Sequence, residues 1–234
     1  MAGIFYGVGV GPGDPELLTL KAINVIKEAD VIIAPKTEKQ ENSTALSIAM
    51  PFLKADVQIV KLVFPMVLST ETLSDAWENN KNIILELLAA GKKVVFLTLG
   101  DPMFYSTYIY VFRLLEKSGY LIQTVPGVTA FCAIGSQLGY PVVEGNDILS
   151  IIPATISEDK LDKALAMADN VVLMKVYKNF EQVVEKLNRH GLADNAVMIS
   201  KCGLEDEQVV YNLADVGKQN INYLSTILAR RNKW

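Results

Sequence analysis

Short apolar runs alternate with amphipathic stretches along the first half of the chain. Hydrophobic residues fill most of positions 4–6, 31–34, 94–99 and 121–125. Nearly unbroken runs of this length are typical of strands that are covered on both faces, as in parallel sheets. Between positions 70 and 90 the apolar residues recur at helical spacing instead. This alternation of strand and helix patterns predicts an α/β protein.

The second half of the chain restarts the same alternation after positions 141–146, whose sequence is typical of a linker. Strands are predicted at 148–152, 171–174, 197–200, 209–211 and 224–228, and helices at 158–167 and 180–189. A chain of 234 residues suits one large domain or two small ones. We predict an N-terminal α/β domain at 1–140 and a C-terminal α/β domain at 141–234, with a cleft between the two lobes.

A glycine-rich stretch at positions 7–13 follows the first predicted strand. It reads Gly-Val-Gly-Val-Gly-Pro-Gly and leads into a helical pattern, with Asp14 suited to the N-cap and Pro15 to the first helical position. Glycine leaves the backbone bare, so that another group can approach it closely. Ligands of open α/β sheets bind at the carboxyl ends of strands. The stretch therefore indicates either a ligand site or a structural turn.

The stretch does not match the known phosphate-binding patterns. The dinucleotide fingerprint requires a third glycine where this chain has Pro12 or Asp14, depending on the register. A P-loop sequence is absent as well. Asp14 and Glu16 would also repel a phosphate at this helix N-terminus, which otherwise favours anions. These observations exclude a P-loop and count against a nicotinamide-dependent oxidoreductase.

Two further turns follow predicted strands. Gly100-Asp101-Pro102 comes after the run at 94–99, and Pro126-Gly127-Val128-Thr129 comes after the run at 121–125. Because parallel strands end at a common edge, we expect the three turns to converge. Asp101 could cap a helix that begins near Tyr105, or hold a hydroxyl or a cation. A carboxylate beside bare backbone suits a cationic or ribose-bearing small molecule, and S-adenosylmethionine is both.

Composition narrows the class of protein further. The formal net charge is −4 and no dense run of Lys or Arg occurs, so that nucleic-acid binding is not expected. No apolar run approaches the ~20 residues of a membrane span, and no signal peptide is expected. The two cysteines, Cys132 and Cys202, suggest no disulfide framework and favour the cytoplasm. The single histidine, His190, precedes Gly191 as at a helix C-terminus, so that no protein-bound metal is expected.

The motifs together resemble those of the tetrapyrrole (precorrin) methyltransferases. Residues 7–22, 99–107, 126–130 and 149–154 are similar to family motifs and occur in the family's order. Tyr105-Ser106-Thr107, after Gly-Asp-Pro, resembles the branch of the family that methylates carbon 20 of the ring. Shorter similarities lie at 34–35, 64–66, 173–175 and 224–227.

The resemblance implies a two-lobed fold, S-adenosyl-L-methionine as methyl donor and a homodimer. It implies methyl transfer to carbon 20 of precorrin-2 or of its cobalt-containing counterpart, in cobalamin biosynthesis. Cobalt would then arrive only with the tetrapyrrole substrate. The cofactor contacts that the resemblance implies are Val10, Asp101, Met103, Phe104, Thr129, Ala130, Pro153, Ala154, Val176, Cys202, Ser225 and Thr226.

The residues that would orient the substrate are a separate question. Tyr105, Ser106 and Thr107 are candidates, although they also fit a helix surface with one cap. Methyl transfer from a sulfonium to an electron-rich carbon requires alignment rather than a strong base, and we assign no catalytic residue. Three alternatives remain: a sister methyltransferase acting on another ring carbon or on a protein or RNA, a non-catalytic sensor, and the disfavoured oxidoreductase.

Overall fold

The computed structural model describes residues 2–36, 43–65, 71–216 and 221–233. The chain divides into two compact units, Met1–Thr129 and Ala130–Trp234. The division falls before the helix at Ala130–Leu138. The boundary that we predict from the sequence, after residue 140, lies on the other side of this helix. Among the described residues, no helix is long and apolar enough to cross a membrane.

The first unit is a parallel sheet with helices on both faces. Its five described strands lie in the order β3-β2-β4-β1-β5, and every pair is parallel. The α/β prediction is confirmed. The elements in chain order are β1 (Ile4–Gly9), α1 (Leu20–Lys27), β2 (Val31–Lys36), α2 (Thr44–Ala49), β3 (Gln58–Val63), α3 (Glu71–Ala89), β4 (Lys93–Thr98), α4 (Tyr108–Leu115) and β5 (Leu121–Val125).

Alternate residues of these strands enter two hydrophobic clusters, one for each face of the sheet. On one face Val8 and Leu97 pack with Ile26 of α1. On the other face Phe5 and Phe96 pack with Tyr108 of α4. Because both faces are covered, the central strands are apolar at nearly every position, which is why the sequence shows unbroken runs.

The second unit carries a mixed sheet in the order β6-β7-β10-β8-β9. Strand β6 is parallel to β7, whereas β10 is antiparallel to both β7 and β8, and β9 is antiparallel to β8. Helices α6 and α7 contribute Leu165 and Leu187 to the cluster that covers one face. The elements are α5 (Ala130–Leu138), β6 (Leu149–Pro153), α6 (Glu158–Met167), β7 (Asn170–Met174), α7 (Phe180–Arg189), β8 (Val197–Ser200), β9 (Gln208–Val210) and β10 (Ser225–Arg230).

Helix α1 begins later than its sequence predicts. Asp14 caps only a 3-10 turn, Pro15–Leu17, by accepting a hydrogen bond from Glu16 N at 2.8 Å. Helix α1 then begins at Leu20, where the hydroxyl of Thr19 accepts from Ala22 N at 3.1 Å. Because α1 begins later, the 3-10 turn and a short loop separate the glycine-rich stretch from this helix. In contrast, Gly191 at φ +67° ends α7 as predicted, with His190 as the C-cap.

Candidate functional site

The three sequence motifs of the first unit meet at the carboxyl ends of β1, β4 and β5. A Cβ atom added at Gly9 would lie 2.5 Å from the carbonyl oxygen of Gly100 and 2.7 Å from Gly127 Cα. A Cβ atom at Gly127 would overlap the same carbonyl oxygen. Gly100 N also donates to Gly11 O at 2.8 Å. The predicted convergence is confirmed, because the three backbones approach so closely that only glycine fits at the contact.

Gly7 has a different purpose from the other glycines of the stretch. A Cβ atom there would overlap the aromatic ring of Tyr108, which is fully buried beneath β1. The Tyr108 hydroxyl lies 2.7 Å from Thr124 Oγ1, and burial raises the pKa of the phenol. Gly7 therefore makes room for a core aromatic residue rather than for a ligand.

Asp101 joins the second turn to the third. Its Oδ1 accepts from Met103 N at 2.8 Å and its Oδ2 accepts from Gly127 N at 3.0 Å. The alternative that Asp101 caps a helix beginning near Tyr105 is wrong, because α4 begins at Tyr108. The helix is delayed by Tyr105 itself, whose φ of +48° lies in the left-handed region. The carboxylate thus fixes the shape of the edge through two charge-assisted hydrogen bonds.

The other residues predicted for this edge differ in exposure. Val10 is fully buried in the core, so that only its main chain is available to a ligand. Met103 is 53% exposed and Tyr105 is 45% exposed. The Tyr105 and Phe104 rings pack edge to face, with their centroids 4.8 Å apart. Exposed apolar side chains beside a bare backbone form a surface on which a flat organic molecule can pack.

Ser106 and Thr107 are placed differently from Tyr105. The hydroxyl of Ser106 is buried and donates to the carbonyl of Pro102. Thr107 occupies the N-cap position of α4, although its side chain makes no capping hydrogen bond. Of the three candidates for substrate orientation, the geometry therefore leaves Tyr105 as the most accessible, and Ser106 braces the turn.

Two buried hydroxyl groups at this edge have no hydrogen-bond partner among the described residues. They are Thr98 Oγ1, on the last residue of β4, and Thr129 Oγ1, in the third turn. Buried polar atoms are nearly always paired, so that these two hydroxyls at the strand ends are candidates for a hydrogen bond to a ligand or to water. Thr129 was predicted, whereas Thr98 was not. The only signal for Thr98 is a polar residue inside the apolar run at 94–99.

The residues predicted from the second half of the chain gather at one edge of the second sheet. Pro153 ends β6 and is paired with Met174, the last residue of β7, which is also paired with Thr226. Ser225 is paired with Ser200, the last residue of β8, and Cys202 follows two residues later. The edge thus collects the carboxyl ends of three strands and the beginning of β10. Ala154 and Val176 lie in the loops just beyond, and Ala154 N donates to Met174 O at 2.7 Å.

Hydrogen bonds between side chains characterise this second edge. Ser225 Oγ lies 2.7 Å from Ser200 Oγ, and both residues are buried. Cys202 Sγ donates to Gln137 Oε1 at 3.8 Å. Burial, with a smaller contribution from the carboxylate of Glu207, raises the pKa of Cys202 to about 11. The thiol is therefore protonated at neutral pH and unsuited to act as a nucleophile. The sequence did not point to Ser200, Gln137 or Glu207.

Strained backbone also concentrates beyond the strand ends. The non-glycine residues with positive φ in the described chain are Tyr105, Lys175 and Lys201, at +48°, +59° and +58°. Lys175 directly follows β7 and Lys201 directly follows β8. Such conformations cost about 1–3 kcal/mol each and are common where a site needs a fixed loop shape. No cluster of three or more His, Cys, Asp or Glu side chains able to hold a metal occurs in the described part of the chain.

Comparison with known proteins identifies the family. The profile described as Tetrapyrrole (Corrin/Porphyrin) Methylases matches residues 5–216, and the chain belongs to this family. A cobalt-precorrin-2 C(20)-methyltransferase from Salmonella typhimurium is 33% identical over 99% of this chain and 98% of its own length. A precorrin-2 C(20)-methyltransferase from Sinorhizobium sp is 31% identical over 97% of this chain and 94% of its own length.

The fold is also that of solved members of the family. The crystal structure of a cobalt precorrin-4 methyltransferase superposes with a TM-score of 0.76 at 23% identity, covering 97% of this chain and 94% of that one. The α/β architecture with two sheets is thus the family's architecture. The predicted cleft stays a prediction, and residue 66 of the similarity at 64–66 lies outside the described residues.

Proposed function

We propose that the protein transfers a methyl group from S-adenosyl-L-methionine to carbon 20 of precorrin-2, or of its cobalt-containing counterpart, in cobalamin biosynthesis. The observation that carries the proposal is the similarity, over nearly the whole chain, to two relatives named for this carbon of this ring. The Tyr105-Ser106-Thr107 sequence, which resembles the same branch, agrees with it.

The residues of the first edge fit the methyl donor. The close backbone packing of Gly9, Gly100 and Gly127 fixes the shape of this edge, and the hydroxyl of Thr129, which has no partner among the described residues, offers a hydrogen bond. The further contacts that we propose lie just beyond β1, β4, β5, β6, β7 and β8 and at the start of β10. They are Val10 through its main chain, Asp101, Met103, Phe104, Ala130, Pro153, Ala154, Val176, Cys202, Ser225 and Thr226.

S-adenosylmethionine, when bound, supplies a methyl group on a positively charged sulfur that an electron-rich carbon can displace. The protein has to align the two reactants and to exclude water, which can lower a barrier by about 7–11 kcal/mol at best. It does not have to remove a proton in the same step. Two buried ionisable groups near the edges agree with this, because burial raises the pKa values of both Tyr108 and Cys202 and keeps them protonated.

We also propose that the carboxylates of the substrate are received by lysines rather than by a basic face of the whole protein. Lys175, Lys178 and Lys201 all lie just beyond strands of the second sheet. Lys178 Nζ lies 5.7 Å from the ring of Tyr177, and Lys201 pairs with Asp206. Local cations of this kind reconcile a protein of net charge −4 with a substrate that carries many carboxylates.

The test is a paired turnover assay with methyl-labelled S-adenosylmethionine. Purified protein receives metal-free precorrin-2 or cobalt-factor II without oxygen, and carbon NMR locates the label. We expect the label at carbon 20. Whichever of the two compounds is methylated faster shows whether the natural substrate contains cobalt. Label at another carbon would indicate a sister methyltransferase. Tight donor binding without any transfer would indicate a sensor.

The remaining proposals concern the state of the protein in the cell. We propose that it acts as a cytoplasmic homodimer, without nucleic-acid or membrane partners and without a resident metal. Light scattering on the eluted protein tests the dimer, and a mass of one 25.7 kDa chain would overturn it.

A further inference from the structure

We propose that Gln137 and Glu207 are positioning residues that hold the loop after β8 in its ligand-binding conformation. This loop, residues 201–207, joins β8 to β9 and contains Cys202. The inference rests on the proposed function, because it assumes that the loop contacts the methyl donor.

The two side chains form a closed network with the loop. Glu207 Oε1 accepts from Gln137 Nε2 at 2.5 Å, and Glu207 Oε2 accepts from Gly203 N at 2.6 Å. The amide oxygen of Gln137 accepts from Cys202 Sγ at 3.8 Å. One carboxylate and one amide therefore connect α5 with two successive residues of the loop. The hydrogen bonds to the carboxylate are of the stronger, charge-assisted kind.

The loop needs such support because its backbone is strained. Lys201 and Gly203 both have positive φ, at +58° and +75°. Two consecutive turns follow, in which Leu204 N donates to Lys201 O and Glu207 N donates to Leu204 O, each at 3.0 Å. A strained conformation persists only where the surroundings fix it. The bridge to α5 supplies that fixation from outside the loop.

The helix at the other end of the bridge is itself connected to the first edge. Helix α5 opens at Ala130, the residue that follows Thr129 in the third turn. Gln137 lies two helical turns further along the same helix. The hydrogen bond between Gln137 and Glu207 therefore connects α5, which begins directly after the third turn, to the loop that carries Cys202. The two residues are 70 positions apart in the sequence.

Because the network lies at the surface, a positioning role can be distinguished by experiment from a structural one. Gln137 is exposed and Glu207 is half-buried. Solvent-exposed hydrogen bonds contribute little to global stability, because water replaces them easily. Changes here should therefore alter the loop and the affinity for the donor, while the melting temperature stays nearly constant.

The experiment exchanges the two side chains and measures binding of S-adenosylhomocysteine by calorimetry. Gln137→Glu places two carboxylates together, and we expect about tenfold weaker binding at pH 8, the equivalent of one lost charge-assisted hydrogen bond. The double variant Gln137→Glu/Glu207→Gln can restore every hydrogen bond with reversed polarity, and should bind within about twofold of the wild type.

Controls separate the possible explanations. Glu205→Gln changes the same charge in the same loop and should bind like the wild type. If Gln137→Glu does not fold, Gln137→Leu removes the bridge without adding a charge and should show the same loss. In turnover, the KM for the donor should rise while kcat changes little, as expected when binding alone is affected.

Three results would overturn the inference. They are a Gln137→Glu variant that binds like the wild type, a double variant that binds no better than the single one, and a melting temperature that falls in parallel with affinity. Failure of the proposed function is seen in the wild type instead. A wild type that binds the probe but does not methylate carbon 20 overturns the substrate alone, and one that does not bind overturns both proposals.

Discussion

The edges of the two sheets are constructed in opposite ways. The first edge is made of bare backbone, with Gly9, Gly100 and Gly127 in mutual contact. The second is made of side chains that bind one another, as in the pairs Ser200–Ser225 and Gln137–Glu207. Backbone packing fixes the shape of the surface sterically. Side-chain pairing fixes the surface through hydrogen bonds, which a single substitution can break or exchange.

The largest expected effect is at Gly127. Gly127→Ala places a Cβ atom onto the carbonyl oxygen of Gly100, and neither backbone can yield without disturbing β1. We expect a loss of about 3 kcal/mol in the free energy of unfolding, the upper end for overpacking, and loss of donor binding.

Gly119→Ala is the matched control for Gly127→Ala. Gly119 has φ of +82° but open space around the position of a Cβ atom, so that only backbone strain opposes the substitution. This strain should cost about 1–2 kcal/mol and leave binding unchanged. Chemical denaturation and calorimetry measure both quantities. Equal effects of the two substitutions on binding would show that close backbone contact is not what forms the first edge.

The next effect in size concerns Asp101, whose carboxylate braces the first edge. Asp101→Asn keeps an acceptor for only one of the two amide groups, Met103 N or Gly127 N. A lost hydrogen bond to a charged group costs about 2 kcal/mol of unfolding free energy. Because the turn is then held less firmly, we expect about tenfold weaker binding of S-adenosylhomocysteine. Unchanged affinity in a folded variant would mean that the glycines hold the two turns without the carboxylate.

A smaller effect tests the side-chain construction of the second edge. Ser225→Ala leaves the buried hydroxyl of Ser200 without its partner and should cost about 1–2 kcal/mol of unfolding free energy. The double variant Ser200→Ala/Ser225→Ala removes both hydroxyls. It should cost less than the sum of the two single variants, with a coupling of about 1 kcal/mol. Strict additivity would contradict a direct hydrogen bond.

The smallest effect is the pH dependence that Cys202 contributes. Burial raises the pKa of the folded thiol from 9.0 to about 11, so that folding favours the protonated form. This stabilisation is complete below the unfolded pKa and is lost as the pH rises from about 9 towards 11. We expect the wild type to lose about 1 kcal/mol more than Cys202→Ala between pH 8 and pH 10.5. If the wild type and Cys202→Ala lose the same stability between these pH values, the thiol is accessible to water and burial does not raise its pKa.

The first edge was largely predictable because its signal is local. Each glycine lies within a few residues of an apolar run, and parallel strands bring their carboxyl ends together by rule. The start of α4 was missed for an equally local reason, since nothing in the sequence announces the positive φ of Tyr105. Thr98 was missed because a threonine is common in a strand and only the fold shows that its hydroxyl lacks a partner.

The second edge was harder to predict because its partners are distant in sequence. The members of the pair Ser200–Ser225 are separated by 25 residues, and those of Gln137–Glu207 by 70. The Ser200–Ser225 contact depends on β10 running antiparallel to β8, and the apolar run at 224–228 predicts a strand without its direction. The resemblance to the family supplied Cys202 and Ser225, but not the residues that hold them.

The central claim is that the glycine-lined edge of the first sheet binds the methyl donor. Hydrogen exchange with and without S-adenosylhomocysteine tests it most directly, with the surface of α6 as an internal control. The account predicts slower exchange in peptides that cover residues 99–107 and 126–130, and unchanged exchange at 158–167. Saturating ligand that leaves both of the first two peptides unprotected would contradict it.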